Sequence, residues 1–109
     1  MAKHDFGMME QAPVHGERYD RYEPWNYSCI SVDDNFIEPL LPEFCSVDFF
    51  WHSIDVPRKG LAYCGITLIP PKSIDTMIKI IDKIPELSHL KELLSEAEAQ
   101  NKYVIHFGI

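Results

Sequence analysis

The side chains best suited to acid–base chemistry lie in one stretch of the chain, residues 47 to 69. This stretch contains Asp48, His52 and Tyr63. An imidazole beside a carboxylate and a phenol can act as a general acid or base when the groups lie within hydrogen-bond reach. The same trio also arises as ordinary hydrogen bonding on a protein surface. The catalytic interpretation therefore depends on whether the fold brings the three side chains together.

The stretch has the pattern of a β-hairpin. Residues 47 to 54 and 61 to 69 are rich in β-branched and aromatic side chains, and Pro57 and Gly60 interrupt the sequence between them. We tested the register that places Ile54 opposite Leu61. One face then carries the predicted core residues Val47, Phe49, Trp51, Cys64, Ile66 and Leu68. The second face carries Asp48 and the predicted binding residues Phe50, His52, Tyr63 and Thr67, with His52 opposite Tyr63.

Two further features of the hairpin bear on function. Arg58 and Lys59 concentrate positive charge at its tip, which suits either a solvated loop or contact with an acidic partner. In the tested register Cys64 points to the core and His52 to the other face. A cysteine nucleophile needs a base within reach, so this register argues against a Cys–His pair.

No residue spacing in the sequence predicts a metal or a cofactor. The three cysteines and five histidines show no ligand spacing, and the glycines match no phosphate-binding pattern. Asp33 and Asp34 precede a short apolar run, where an aspartate typically caps a helix. We therefore predict helix capping here rather than a metal site. His52 and His106 are predicted to lie several strands apart.

Composition limits the classes of partner. The chain has 109 residues and a net charge of −7, which opposes binding to nucleic acid and to anionic membranes and favours a basic protein partner. No apolar run approaches the roughly 20 residues that a membrane span needs. The first residues lack the apolar segment of a signal peptide, so we expect a cytoplasmic protein.

The remaining elements follow from periodicity. A strand is predicted over 25–32, followed by a short helix, the hairpin, and helices over about 71–84 and 87–100 with apolar stripes. A last strand is predicted over 102–108. The order β-α-β-β-α(α)-β predicts an α+β fold with helices on one face of an antiparallel sheet. The ferredoxin-like (split βαβ) fold is the first choice, and another strand order is the alternative.

Residues 1 to 24 show neither helical nor strand periodicity, and we interpret them as an arm attached to a single domain over 25–109. The arm contains scattered apolar side chains such as Phe6, Met9 and Tyr19. A sheet with helices on one face leaves apolar residues on its other face, and such a patch is not normally bare. We therefore expect the arm to pack on that face and to form one wall of any binding site.

Three functions remain open on these observations. The first is a protein-binding module, for example an immunity-type inhibitor, which the acidic charge favours. The second is a small enzyme or ligand-binding domain that uses the sheet face around His52, Tyr63 and Asp48. The third is a structural subunit that forms a homodimer through that face.

Overall fold

Six strands form one antiparallel sheet in the computed structural model, which describes residues 2 to 109. The strands are β1 (Lys3–Met8), β2 (Ile30–Asp33), β3 (Asp48–Trp51), β4 (Pro57–Lys59), β5 (Ile66–Ile69) and β6 (Val104–Phe107). Their order across the sheet is β2-β1-β6-β5-β3-β4, and every neighbouring pair is antiparallel. The predicted α+β class is confirmed.

Two long helices, α3 (Pro71–Ile81) and α4 (Ser88–Ala99), cover one face of the sheet, as predicted. Pro71 occupies the first turn of α3, where its missing N–H costs no helical hydrogen bond. The buried stripes are the expected apolar positions Ile74, Met77 and Ile81 in α3 and Leu90, Leu94 and Ala97 in α4. Two short helices, α1 (Asp34–Ile37) and α2 (Leu41–Phe44), contribute to the same core.

The N-terminal residues form a strand in the middle of the sheet. Strand β1 lies between β2 and β6, and His4 to Gly7 are buried. Because both faces of this strand are covered, its sequence lacks the apolar–polar alternation of a half-exposed strand. Lys3–Met8 therefore belongs to the sheet, which corrects the prediction of an arm for that part of residues 1 to 24.

The ferredoxin-like strand order is not confirmed. That order requires the first predicted strand to separate the hairpin from the last strand. In the structure β6 instead pairs directly with β5, with Thr67 opposite His106. Strand β1, which the sequence pattern did not reveal, fills the position between β2 and β6.

The predicted register of the hairpin is wrong. Phe50 pairs with Leu68 rather than with Gly65. The pairing is shifted by an odd number of residues, so the side chains predicted for one face of β5 lie on the other face. The physical cause is the connection, which is not a simple loop. It contains β4, which pairs with the opposite edge of β3 and brings Lys59 to Asp48. Phe49 is in the core as predicted, but Trp51 is half-buried and Cys64 is exposed.

The second face of the sheet is covered by residues 9 to 29, which we call the cover segment. Met9, Tyr19, Tyr27 and Cys29 pack there against Ile66, Leu68, Ile105 and Phe107. The approach is close: a Cβ at Gly7 would lie 2.7 Å from Cys29 Sγ and from Tyr27 Cβ. This face, which was expected to offer a dimer contact, is thus occupied by the chain itself.

None of the helices within residues 2 to 109 has the length and apolar character needed to cross a membrane.

Replacing Phe6 by alanine should destabilise the protein by about 3–5 kcal/mol, since the ring is fully buried in the central strand. The matched control is Val14→Ala in the cover segment, where the side chain is 57% exposed and the expected change is within about 0.5 kcal/mol. Chemical denaturation of both variants measures the difference. Equal stabilities would contradict the placement of β1 at the centre of the sheet.

Candidate functional site

The predicted catalytic trio is dispersed among three different partners. Asp48 accepts a hydrogen bond from Lys59 Nζ at 2.8 Å, and this bond lowers the pKa of the Asp48 carboxyl. The Tyr63 hydroxyl donates to Asp34 Oδ2 at 2.6 Å. His52 Nδ1 lies 3.1 Å from Asp20 Oδ1. The structure therefore gives these residues separate environments, and the cross-strand pairing of His52 with Tyr63 is wrong together with the register.

Three of the predicted binding residues do meet, at the edge of the sheet. Phe50, Arg58 and Lys59 line a shallow cavity of about 400 Å³ together with Asp48 and Lys72. Lys59 is paired with Asp48, and Arg58 Nη1 donates to the Pro57 carbonyl at 2.8 Å. Of the three cations in this lining, Lys59 is paired with a carboxylate, and Arg58 bonds only a backbone carbonyl.

Sequence reasoning missed a chain of buried polar side chains that crosses three strands. His4 Nδ1 lies 2.8 Å from His106 Nε2, and His4 Nε2 lies 2.8 Å from Asp34 Oδ1. His106 Nδ1 lies 3.1 Å from Thr67 Oγ1, which accepts a hydrogen bond from the Ala62 amide. Both imidazoles are fully buried. Because the two histidines are 102 positions apart in the sequence, no local motif predicts that they form a pair.

The bonding pattern fixes the direction of each hydrogen bond when both rings are neutral. Asp34 accepts from Tyr63 and from His4 Nε2, and these bonds lower the pKa of its carboxyl. His4 Nδ1 then accepts from His106 Nε2, and His106 Nδ1 accepts from the Thr67 hydroxyl. Burial, reinforced by the charge that His4 can carry, lowers the pKa of His106 to about 3. The bond to Asp34 raises the pKa of Tyr63 to about 12.

This chain fastens β1 to β6 and β5, and its two imidazoles are closed off from solvent. Within residues 2 to 109 no buried side-chain nitrogen or oxygen lacks a hydrogen-bond partner. His4 and His106 line none of the three cavities described in this subsection. Asp33 and Asp34 also acquire distinct roles. Asp33 caps α1 by accepting from the Asn35 amide at 2.8 Å, as predicted, while Asp34 ends the polar chain.

A groove of about 830 Å³ lies between the cover segment and the second face of the sheet. Tyr27, Ile105 and Phe107 contribute apolar surface to it. Its charged lining residues are four carboxylates and two guanidinium groups: Glu10, Glu17, Asp20, Glu23, Arg18 and Arg21. Arg18 binds Asp20 through two nitrogens at 2.9 and 3.1 Å, which lowers the pKa of that carboxyl. The groove is thus apolar at its base and acidic in net charge.

Two exposed aromatic side chains of the cover segment adjoin groove-lining residues in the sequence, Tyr22 after Arg21 and Trp25 before Asn26. Trp25 is 71% exposed, and its ring lies edge-on to Tyr22, which is 53% exposed, at a centroid distance of 6.0 Å. Tyr22 is anchored from below by a second edge-on contact with Phe107 at 5.7 Å and by donating to Asp5 Oδ2 at 2.7 Å. Tyr22, held by these two contacts, therefore supports Trp25, whose ring remains exposed to solvent.

A separate cavity of about 500 Å³ is lined by His52, Cys64 and Asp20 among other residues. Cys64 is exposed rather than buried. The expectation that Cys64 and His52 lie on opposite faces is therefore wrong, because the shifted register places Cys64 in the turn that precedes β5.

The described part of the chain contains no cluster of three His, Cys, Asp or Glu side chains arranged to hold a metal ion. Comparisons with models of protein families, with curated proteins and with solved structures found no match for this chain. Its function is therefore inferred from its own geometry.

We expect the buried His106 to make the protein sensitive to acid. His106 has a pKa of about 3 when folded and about 6.5 when unfolded, so the unfolded chain binds the proton first as pH falls. Stability from this group is complete above about pH 6.5 and declines towards pH 3. The slope approaches about 1.4 kcal/mol per pH unit for one proton.

Urea denaturation between about pH 5.5 and 6.5 measures this slope in a range where carboxylates contribute little. His106→Gln should reduce the slope, and the control His89→Gln, at a position on α4 that is 86% exposed, should not. An unchanged slope in His106→Gln would show that His106 does not take up a proton on unfolding.

Proposed function

We propose that this chain is a protein-binding module whose binding surface is the groove of the cover segment with Trp25 and Tyr22 beside it. The observation that carries the proposal is an exposed, supported tryptophan next to an apolar groove with an acidic rim. Isolated exposed apolar residues are common on protein surfaces. An aromatic pair at the edge of a groove has instead the composition of an interface centre, where Trp, Tyr and Arg contribute most of the binding energy.

The charge of the surface selects the kind of partner. The whole chain carries −7, and the groove lining has more carboxylates than guanidinium groups. Opposite charges across an interface accelerate association and exclude partners of the wrong sign. The partner that fits is therefore a protein with a basic surface and an apolar side chain that can enter the groove.

An immunity-type inhibitor is the most concrete form of this function. Such a protein binds a toxin of opposite charge and blocks it, and needs no catalytic residues for that purpose. The three cysteines of the chain are all free thiols. Free thiols suit a reducing compartment such as the cytoplasm, which is where we place this activity.

The first experiment tests the inhibitor form directly. Each gene that flanks this one is expressed alone and together with it, and growth is measured. We expect one flanking product to arrest growth alone and to be neutralised by this chain. If neither product is toxic and neither binds the purified chain, the inhibitor proposal is wrong.

The second experiment tests the surface. Trp25→Ala should weaken binding to the neutralised partner by at least about 2 kcal/mol, or roughly 30-fold in Kd, as for other central interface aromatics. Isothermal titration calorimetry measures the loss. Ile109→Ala, which removes an exposed apolar side chain that does not line the groove, is the matched control. Equal affinities of the two variants would place the interface elsewhere.

A further inference from the structure

The two edges of the sheet differ in how their outward backbone groups are protected. Strands β2 and β4 are the outermost strands in the order β2-β1-β6-β5-β3-β4. Each pairs with one neighbour only, so alternate residues direct their N–H and C=O groups away from the sheet. Such groups form a template for pairing with another chain unless the edge is blocked.

The edge at β4 is blocked by its own residues. The Trp51 amide donates to the Val56 carbonyl at 3.0 Å, and this bond sets the alternation along β4. Arg58 consequently bonds β3, while Pro57 and Lys59 present their backbone outward. Proline has no N–H, and the Pro57 carbonyl already accepts from Arg58 Nη1 at 2.8 Å. With two cationic side chains in three residues, this edge resists an added strand.

The edge at β2 contains neither a proline nor a cationic residue. The Asp34 amide donates to the Ala2 carbonyl at 3.1 Å, so the even-numbered residues of β2 bond β1. The N–H and C=O of Ser31 and the N–H of Asp33 therefore point away from the sheet. Within residues 2 to 109 these three groups have no backbone partner, and Ser31 is exposed.

The sequence around β2 is acidic. Residues 22 to 42 contain no lysine or arginine, and their four carboxylates are Glu23, Asp33, Asp34 and Glu38. The cation nearest to β2 by register is Lys3, which lies opposite Asp33 on β1. One ammonium against four carboxylates leaves a net negative charge beside the edge. An added strand with basic side chains is therefore favoured over a neutral or acidic one.

The edge is continuous in the chain with the groove of the cover segment. Asn26, Tyr27 and Ser28 line that groove, and β2 begins at Ile30. A protein held in the groove thus contacts residues that lead directly into the unpaired edge. The groove and the edge can accordingly be used by one partner.

We propose that the outer edge of β2 docks an extended, basic segment of a partner protein, which adds to the six-stranded sheet as a further strand. The inference rests on the proposed function for the existence of that partner and specifies how it binds. In strand addition the main-chain hydrogen bonds supply affinity, and alternate side chains supply selectivity. A second copy of this chain is the less suitable occupant, because it brings like charges together at the edge.

A heptapeptide of alternating lysine and valine, acetylated and amidated at its ends, is the probe. NMR of the isotope-labelled full chain measures the amide hydrogen exchange of each residue. At saturating peptide, exchange should slow at Ser31 and Asp33. It should stay unchanged at Lys59, whose outward amide on β4 is the internal reference. Slowed exchange at Lys59 instead, or at neither edge, would overturn the proposal.

Two further peptides separate strand pairing from charge. The first has the same sequence with a methyl group on every backbone nitrogen, so it cannot donate main-chain hydrogen bonds, and it should slow exchange at neither Ser31 nor Asp33. The second alternates glutamate with valine and should bind at least about tenfold more weakly, because its charge has the wrong sign. If the methylated peptide protects both amides as well as the parent does, strand addition is excluded.

Asp33→Pro removes one outward amide while keeping the backbone conformation. Asp33 has a φ of −63°, the value that proline fixes, and the residue before it is in a strand, as proline prefers. Asp33→Ala is the matched control, since both variants lose the helix cap and its charge, but only the proline lacks the N–H. Calorimetry should show that the parent peptide binds Asp33→Pro about fivefold more weakly than Asp33→Ala, which corresponds to about 1 kcal/mol for one hydrogen bond. Equal affinities would contradict the proposed pairing.

The outcome for the edge is separable from the outcome for the groove. Slowed exchange at Ser31 and Asp33 should persist in Trp25→Ala, because strand pairing uses main-chain groups of β2. Failure of the groove proposal therefore leaves edge binding measurable, and failure of edge binding leaves the effect of Trp25→Ala on the partner intact. Analytical ultracentrifugation of the chain without peptide tests the second-copy alternative. A dimer in which the Ser31 and Asp33 amides are already protected would assign the edge to self-association and contradict the proposal.

Discussion

The fold depends on one constraint, the insertion of strand β1 between β2 and β6. Neither neighbour can complete the sheet without it, and its buried side chains belong to both faces. The pair formed by His4 and His106 secures this placement with a directional bond between two fully buried rings. A buried polar group without a partner costs free energy, so the pair also opposes any slip of β1 along β6. The register of the centre of the sheet is thus specified by hydrogen bonding as well as by apolar packing.

The sequence predicted those elements whose pattern is local. The stripes of α3 and α4, the role of Pro71 at a helix start and the cap at Asp33 could all be derived from neighbouring residues. Strand β1 was not predicted because a strand buried on both faces lacks the alternation of apolar and polar residues that indicates a strand. The hairpin register was predicted wrongly because it depends on β4. This three-residue strand pairs with β3, and its composition does not indicate that pairing. These two errors led to the predicted strand order, which is not confirmed. They also led to wrong predicted neighbours for the candidate site residues.

For the candidate sites, the sequence indicated polar residues that do have defined partners, but it did not predict which side chains lie together. His52, Tyr63 and Asp48 all have defined partners, but each partner is distant in sequence. The acidic groove also depends on the cover segment folding back over the sheet, which composition alone only suggested. Asp20 lines both the groove and the cavity beside His52 and Cys64, which sequence reasoning could not show because the two cavities are built from distant parts of the chain.

The pairing of β1 with β6 has a consequence for how the protein is made. Asp5 faces Phe107 across the sheet, so the central strand pair joins two segments that are far apart in the sequence. While the ribosome is still synthesising the chain, β1 has no partner on its β6 side. Its apolar side chains then remain exposed until the last strand emerges. Sheet contacts of such large sequence separation slow folding and prolong the exposure of unpaired strand edges. A pause in synthesis between β1 and β6 would therefore prolong the period in which β1 lacks this partner.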